Sequence, residues 1–335
     1  MREPNFNNLL KVLNKEKPER PTLFEFFLHK RLYEKLSGLK LNGNILNDSR
    51  VYINAYKNAG YDYTTVMGSG FSFPAGEIKQ EKTRSINEGS IIHDRENFEK
   101  YPWPDPDSFD YSHLRDLKDD LPDDMKLIIW GPGGVLENVI FLVGYDNLCF
   151  MIYENPRLAE DIFEAVGTRL TRYYELSAKH DTVGALISND DWGFNTQTLL
   201  SPVDLRRYVF PWHKKIVEII HATEKPAILH SCGNLVSVMD DIIDDLKYDG
   251  KHSYQDNIVP VEDEYEKLGS RIAILGGIDL DFVCRAKPEE IKRRSKDMLK
   301  RTEKRGAYAL GTGNSVPDYV PDENYFAMIS AALEE

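Results

Sequence analysis

Short apolar runs alternate along the chain with clusters of Gly, Asp, Asn or Ser and then with amphipathic stretches. The runs are "TLFEFF" (22–27), "TTVMG" (64–68), "KLIIWG" (126–131), "TVGALIS" (182–188), "AILHS" (227–231), "YDGKHS" (248–253), "IAILGG" (272–277) and "AYALG" (307–311). Apolar runs of this length, bounded by turn residues, read as buried strands. Helical patterns lie between most of them. "SPVDLRRYVFPWHKKIVEIIHAT" opens on a Ser-Pro start signal and "KPEEIKRRSKDMLKRTEKRG" ends at a glycine, both with apolar residues at three- and four-residue spacing.

Eight strands alternating with helices predict a parallel sheet with helical crossovers, and eight is the number that closes a (β/α)8 barrel. The rival, a doubly wound open sheet, is disfavoured because no G-x-G-x-x-G follows the first run. The expectation is an α/β fold: one (β/α)8 TIM barrel over residues 1–335, with an N-terminal helical extension. A segment of roughly residues 70–120 is inserted after the second run. Its "GEIKQEKTRSINEGSII" alternates and turns like a hairpin, and "YPWPDPDSFDY" follows. It reads as a lid or rim segment, or equally as a solvated excursion.

Composition narrows the function. The 335 residues are 41% hydrophobic and 29% charged, enough to bury a sizeable core. The net charge of −13, from 42 basic and 55 acidic residues, argues against nucleic-acid or anionic-membrane partners, which need a basic face. No run approaches the roughly 20 apolar residues of a membrane span, and "MREPNFNNLLKVLNKEKPERP" has no apolar signal core. The expected location is the cytoplasm. Cys149, Cys232 and Cys284 are odd in number and widely spaced, unlike a disulfide framework.

In a barrel of this kind the site lies at the C-terminal ends of the strands. After the fourth run come Asn189, Asp190, Asp191 and Trp192. Two adjacent carboxylates raise each other's pKa, as a general acid or a cation site requires, and the indole reads as a pocket wall. The fifth run ends in "LHSCGNL", where strand alternation points His230 and Cys232 the same way. A nitrogen and a sulfur there suit a metal site, a nucleophile with its base, or a pair of core residues. The sixth run brings His252 and Asp256 to the mouth, and the seventh brings Asp279, a ligand anchor or a helix cap. The eighth ends in "ALGTGNSVPDYVP", whose glycines allow backbone to approach a ligand closely and whose Asn314 and Ser315 become candidate substrate contacts.

"LHSCGNL", "YDGKHSYQDNI", "LGGIDLDFVCRAKPEEIKRR", "GAYALGTGNSVPDYVPDENY" and "YPWPDPD" together resemble the uroporphyrinogen decarboxylase superfamily, most strongly from Asp190 to Tyr325. The resemblance implies a (β/α)8 barrel and one of two activities. The decarboxylase branch carries an arginine-rich motif after its first strand. Here that stretch reads "LFEFFLHKRLYEKL", with Glu25 and His29 in place of the arginines. Holding a polyanionic tetrapyrrole without guanidinium forks is hard to reconcile with that branch. The corrinoid-dependent methyltransferase branch is similar at His-x-Cys, where the pair binds zinc. A further Cys follows the last strand in its coenzyme M enzymes, whereas this chain has Thr312-Gly313-Asn314-Ser315.

The resemblance thus implies a Zn2+-dependent methyltransferase with His230 and Cys232 as metal ligands. Further ligands would come from His252, Asp256, Asp191 or Glu154. Asp190, Asp191 and His252 would handle protons, and Trp192, Asp279, Asn314 and Ser315 would meet substrate. The methyl group would move between a small molecule (a methoxylated aromatic, a methylamine or a thiol) and a corrinoid on a partner protein, because the chain has no D-x-H-x-x-G signature. Tetrapyrrole decarboxylation and a non-catalytic ligand-binding barrel are the alternatives.

Overall fold

The computed structural model describes residues 2–74, 87 and 89–334. Seven strands form one sheet in chain order, each parallel to the next. They are β1 (Tyr63–Met67), β2 (Lys126–Trp130), β3 (Val183–Asn189), β4 (Ala227–His230), β5 (Gly250–His252), β6 (Ala273–Leu275) and β7 (Tyr308–Ala309). Helices connect and surround them, giving the curled α/β architecture of a TIM barrel.

Seven of the eight expected strands form, and the eighth stave is built differently. "TLFEFF" makes no ladder, only an isolated parallel bridge of Leu23 with Leu310, and a second follows just beyond it between Leu28 and Val316. On its β7 side Phe24 N–H donates to Leu310 O (2.8 Å) and Leu310 N–H to Thr22 O (2.7 Å). On its β1 side, side-chain hydroxyls stand where a strand's backbone would be. Tyr63 OH accepts from Glu25 N–H (2.7 Å) and donates to Glu25 O (2.8 Å), and Thr65 Oγ1 donates to Phe26 O (2.6 Å). Backbone groups of Thr22, Phe24, Glu25 and Phe26 thus find partners without a strand ladder, as burial demands.

The expected helix after residue 201 runs from Pro202 to His221, with a π turn over Leu205–Val209. Pro211 explains the widened turn, since it has no N–H and its ring crowds the carbonyl four residues back. Ser201 caps the start, accepting from Asp204 N–H.

The N-terminal end of the barrel is closed by the helix Asn7–Leu13, whose Leu9, Val12 and Leu13 are fully buried. Phe6 lies across Gly184 near the start of β3, where an added Cβ would sit 2.5 Å from its ring. Most of the hairpin expected over residues 76–92 falls on residues 76–86 and 88, outside the described residues, and its described end, 89–92, forms no strand. The rest of the insertion packs onto the body. Leu114 and Leu117 are fully buried, and Arg169 reaches over the Trp103 ring at 5.0 Å. Among the described residues no single helix is long and apolar enough to cross a membrane; a bent pair, Val135–Val143 with Tyr145–Glu154, passes by length and composition only.

Candidate metal centre and adjoining cleft

Asp191, His230 and Cys232 converge at the C-terminal mouth, with one ligand atom from each lying within 4.8 Å of the others. The loops after β3 and β4 are zipped together to make this happen. Gly193 N–H donates to Cys232 O (3.1 Å) and Asn234 N–H to Phe194 O (2.7 Å). Gly193 and Gly233 face each other so closely that a Cβ on Gly233 would lie 2.2 Å from Gly193 backbone, and Gly233 sits at φ +83°. Glycine after Cys232 is thus required twice, for its dihedral and for the contact. The zipper sets Asp191 Oδ1 on Cys232 N–H at 2.8 Å.

His230 ends β4, beside His252 at the end of β5. The two Nδ1 atoms are 2.8 Å apart, so one ring donates and the other accepts. That bond leaves His230 Nε2 facing Cys232 Sγ at 3.7 Å. Metal-bound histidines are typically fixed in this way, through the nitrogen that does not bind the ion. Packing adds to it, since Phe26 lies 4.6 Å from the His230 ring and Phe24 lies 5.1 Å from His252. The structure therefore places His252 behind His230, rather than in the triad.

Burial governs the protonation of these groups. Desolvation pushes the Cys232 thiol up to about 12, helped by the Asp191 charge, and pulls His230 down to about 4. His252 is held well below its usual range by burial and by the neighbouring His230. Without a cation the site holds a thiol and neutral imidazoles. A bound divalent ion favours the thiolate and expels its proton. One sulfur, one nitrogen and one carboxylate oxygen make a donor set that zinc accepts in catalytic sites with an open position.

The two adjacent aspartates part company. Asp190 is fully buried and turned away from the triad. Its carboxylate accepts from Leu136 N–H (2.9 Å) and Glu137 N–H (2.9 Å) at the start of the helix Val135–Val143, and pairs with His213 Nε2 (2.9 Å). His213 Nδ1 in turn meets Ser188 Oγ (3.1 Å) and Tyr248 OH (2.8 Å). This Ser–His–Asp arrangement is sealed, all three residues being at most 1% exposed. Asp190 saturates a helix start and a histidine, as expected of a structural anion, and no catalytic position is open to it.

Trp192 is likewise fully buried, packed on Phe210 (5.1 Å) and edge-on to His213 (4.7 Å), so it does not wall the mouth. Its side chain points outward from the barrel because Asp191 points inward. Asp279 caps the helix Leu280–Arg285 through Phe282 N–H (2.9 Å) and accepts from Asp256 N–H (2.9 Å). Asp256 is clamped by Arg294 at 2.7 and 2.8 Å, away from the triad. Glu154 is exposed at the end of the helix Tyr145–Glu154, also away from it. Asn314 does reach the site, donating from Nδ2 to Cys232 Sγ (3.4 Å). Ser315 is buried beside it and donates its N–H to Asn314 Oδ1 (2.7 Å).

Two side chains escaped the sequence reading. Glu137 and Asp191 both line a cleft of about 670 Å3 whose walls include Phe73, Ile140, Phe141 and Leu199. Burial and the charges of Asp190 and Asp191 raise Glu137 to about 8. The signal was available: Glu137 follows the third run, whose C-terminal end obeys the same strand-end rule. Lys251 is buried between its neighbours His252 and Gly250, its Nζ donating to Ser253 O (2.5 Å) and lying 4.2 Å above the Tyr254 ring. Strand alternation could have shown it pointing away from the histidines.

The sequence profile of the family described as "Uroporphyrinogen decarboxylase (URO-D)" matches residues 50–334. Among curated proteins, uroporphyrinogen decarboxylase of Myxococcus xanthus is 29% identical over 180 residues, covering 52% of this chain and 48% of that protein. The chloroplastic enzyme of Nicotiana tabacum is 26% identical over 178 residues, covering 52% of this chain and 42% of that one. The match therefore spans about half or less of these relatives' length. The Prochlorococcus marinus protein of the same name is 24% identical over 78% of this chain and 74% of its own. Among solved structures, a methyltransferase from Methanosarcina mazei superposes with a TM-score of 0.72, covering 99% of both chains at 14% identity, which is a likeness of fold.

Proposed function

The chain belongs to the uroporphyrinogen decarboxylase family, and from that premise we propose that it is a metal-dependent methyltransferase of the family rather than a decarboxylase. The observation that carries this reading is the convergence of Asp191, His230 and Cys232 at the barrel mouth beside an apolar-walled cleft. Zinc is the proposed metal, and when bound it supplies Lewis acidity to the atom that gains or loses the methyl group.

The chain's own residues do the rest. His252 orients His230 through the Nδ1 contact, and the Gly193–Gly233 zipper holds Asp191 on Cys232 N–H. Phe73, Ile140, Phe141 and Leu199 exclude water from a small methyl donor or acceptor in the cleft. Glu137, lining the same cleft, is the carboxyl that takes up or releases the proton of the bound molecule. A corrinoid carried by a partner protein would supply the centre with which the methyl group is exchanged, and the open mouth beside Asp191, His230 and Cys232 is where such a partner would have to present it.

Decarboxylation of a tetrapyrrole is the second reading, favoured by the names of the curated relatives. Two observations weigh against it. Asp191 lines the cleft and would repel a polyanion, and Glu25 is buried against Thr312 where that branch carries arginine.

The test is the metal content of the purified wild type and of His230→Ala and Cys232→Ala, by mass spectrometry after removal of loosely held metal. Near-stoichiometric zinc in the wild type, lost in both variants, is the expected result. A folded, metal-free wild type that cannot be loaded overturns the metal-dependent mechanism and brings decarboxylation forward.

A further inference from the structure

Asn314 stands where the resemblance calls for a thiolate ligand, and its surroundings fix its amide in one orientation. Ser315 N–H donates to Asn314 Oδ1 (2.7 Å), so the oxygen is engaged and the NH2 group must be the end that faces Cys232 Sγ at 3.4 Å. The loop that carries it is anchored from the adjoining first run, beside β7. Glu25 Oε1 accepts Thr312 N–H (2.7 Å), Glu25 Oε2 lies 2.7 Å from Thr312 Oγ1, and Thr312 Oγ1 also contacts Asn314 O. A hydroxyl has one proton to give, so both Thr312 contacts are satisfied when Glu25 is itself protonated and donates. A buried chain thus runs from Glu25 through Thr312 and Asn314 to the metal-site sulfur.

We infer that Asn314 is a positioning residue that donates a hydrogen bond to the Cys232 sulfur, making this a one-thiolate, Asp–His–Cys centre whose sulfur charge is set by an amide in place of another ligand. The inference rests on the metal-site reading above. A donor to a bound thiolate withdraws charge from the sulfur and lowers its donation to the metal, a recognised lever on sulfur-ligated centres. The amide also fills the space in which a second thiolate would bind, leaving the carboxylate of Asp191 as the third ligand.

Two measurements test it. The first needs no metal: in protein labelled with 15N at asparagine, the Asn314 side-chain NH2 resonance is followed in wild type and in Cys232→Ala. A shift of that resonance, with the other asparagine amides unmoved, is expected; an unchanged resonance overturns the inference whatever the metal content. The second uses cobalt(II) as the probe in wild type, Asn314→Leu, which keeps the volume and loses the donor, and Asn314→Gln, which keeps the donor. The sulfur-to-cobalt charge-transfer band is expected to move to lower energy in Asn314→Leu and to return toward wild type in Asn314→Gln. Cobalt affinity in Asn314→Leu at neutral pH should fall by about 10- to 100-fold, because the amide also stabilises the thiolate against the proton with which the metal competes. Superimposable bands and equal affinities in wild type and Asn314→Leu overturn the inference while leaving the metal site standing. Failure of wild type to bind cobalt or zinc, with the NH2 shift present, defeats the metal-site reading alone and leaves the amide–sulfur bond established.

Discussion

Two histidine–carboxylate constellations lie one residue apart at the end of β3, and they differ in what satisfies them. In the outer one, Asp190 takes two backbone N–H groups and His213, and His213 is met by Ser188 and Tyr248. Every strong acceptor there has a donor from the protein. In the inner one, Asp191 takes a single N–H from Cys232, and His230 Nε2 and Cys232 Sγ face each other at 3.7 Å with no strong bond between them. The same residue types therefore make a structural clamp where their bonding is saturated and a candidate ligand set where it is left open. The outer set is sealed while Asp191 and Cys232 are only half-buried, so saturation and access together separate the two.

Substitutions on the two sides should separate these roles. The largest effect on stability is expected from Asp190→Ala, which strands two N–H groups and a buried histidine. Breaking such a pair costs about 3–5 kcal/mol, read as a shift in urea unfolding. A loss under about 1 kcal/mol would break the comparison.

Next comes Glu25, fully buried and raised by desolvation from 4.5 to about 8. A carboxyl with a raised folded-state value keeps its proton in the native state after the unfolded chain has lost it. Its contribution to stability is complete below about pH 4.5 and is lost as pH rises toward about 8. At roughly 1.4 kcal/mol per pKa unit the loss is on the order of 4 kcal/mol. Glu137 adds a slope of the same sign, so the informative quantity is the difference between wild type and Glu25→Gln. That difference should grow in the variant's favour from pH 5 to pH 8, and a parallel pair of stability curves would refute it.

Asp191→Asn should cost under about 1.5 kcal/mol of stability, since one hydrogen bond to Cys232 is at stake. Zinc retention against a chelator should nevertheless fall at least about 10-fold, the lower end of what even outer changes produce. A strongly destabilised variant that keeps its zinc would place Asp191 with Asp190 instead. The smallest effect belongs to Ser188→Ala, about 0.5–1 kcal/mol, because Tyr248 OH still partners His213 Nδ1.

Much of the molecule was legible before folding. The apolar runs from 64 to 311 mark all seven strands, and the strand-end rule marks His230, Cys232 and Asp191, because a period of two and a parallel barrel leave few choices for where a side chain goes. The first run carries the same signal, but hydroxyls of Tyr63 and Thr65 partner the backbone of Glu25 and Phe26 where a strand would, which no local pattern reveals. Which of two neighbouring aspartates faces His230 and Cys232 also lay beyond the sequence. Asp190 and Asp191 have the same chemistry, and their fates depend on a helix start 54 residues earlier and a loop 41 residues later. The sequence by itself determined the strand periodicity, the family and the chemical groups at the mouth. Which of those groups are saturated by distant N–H donors and which are left less than saturated was settled by the fold, because hydrogen-bond saturation is a property of neighbours that folding brings together.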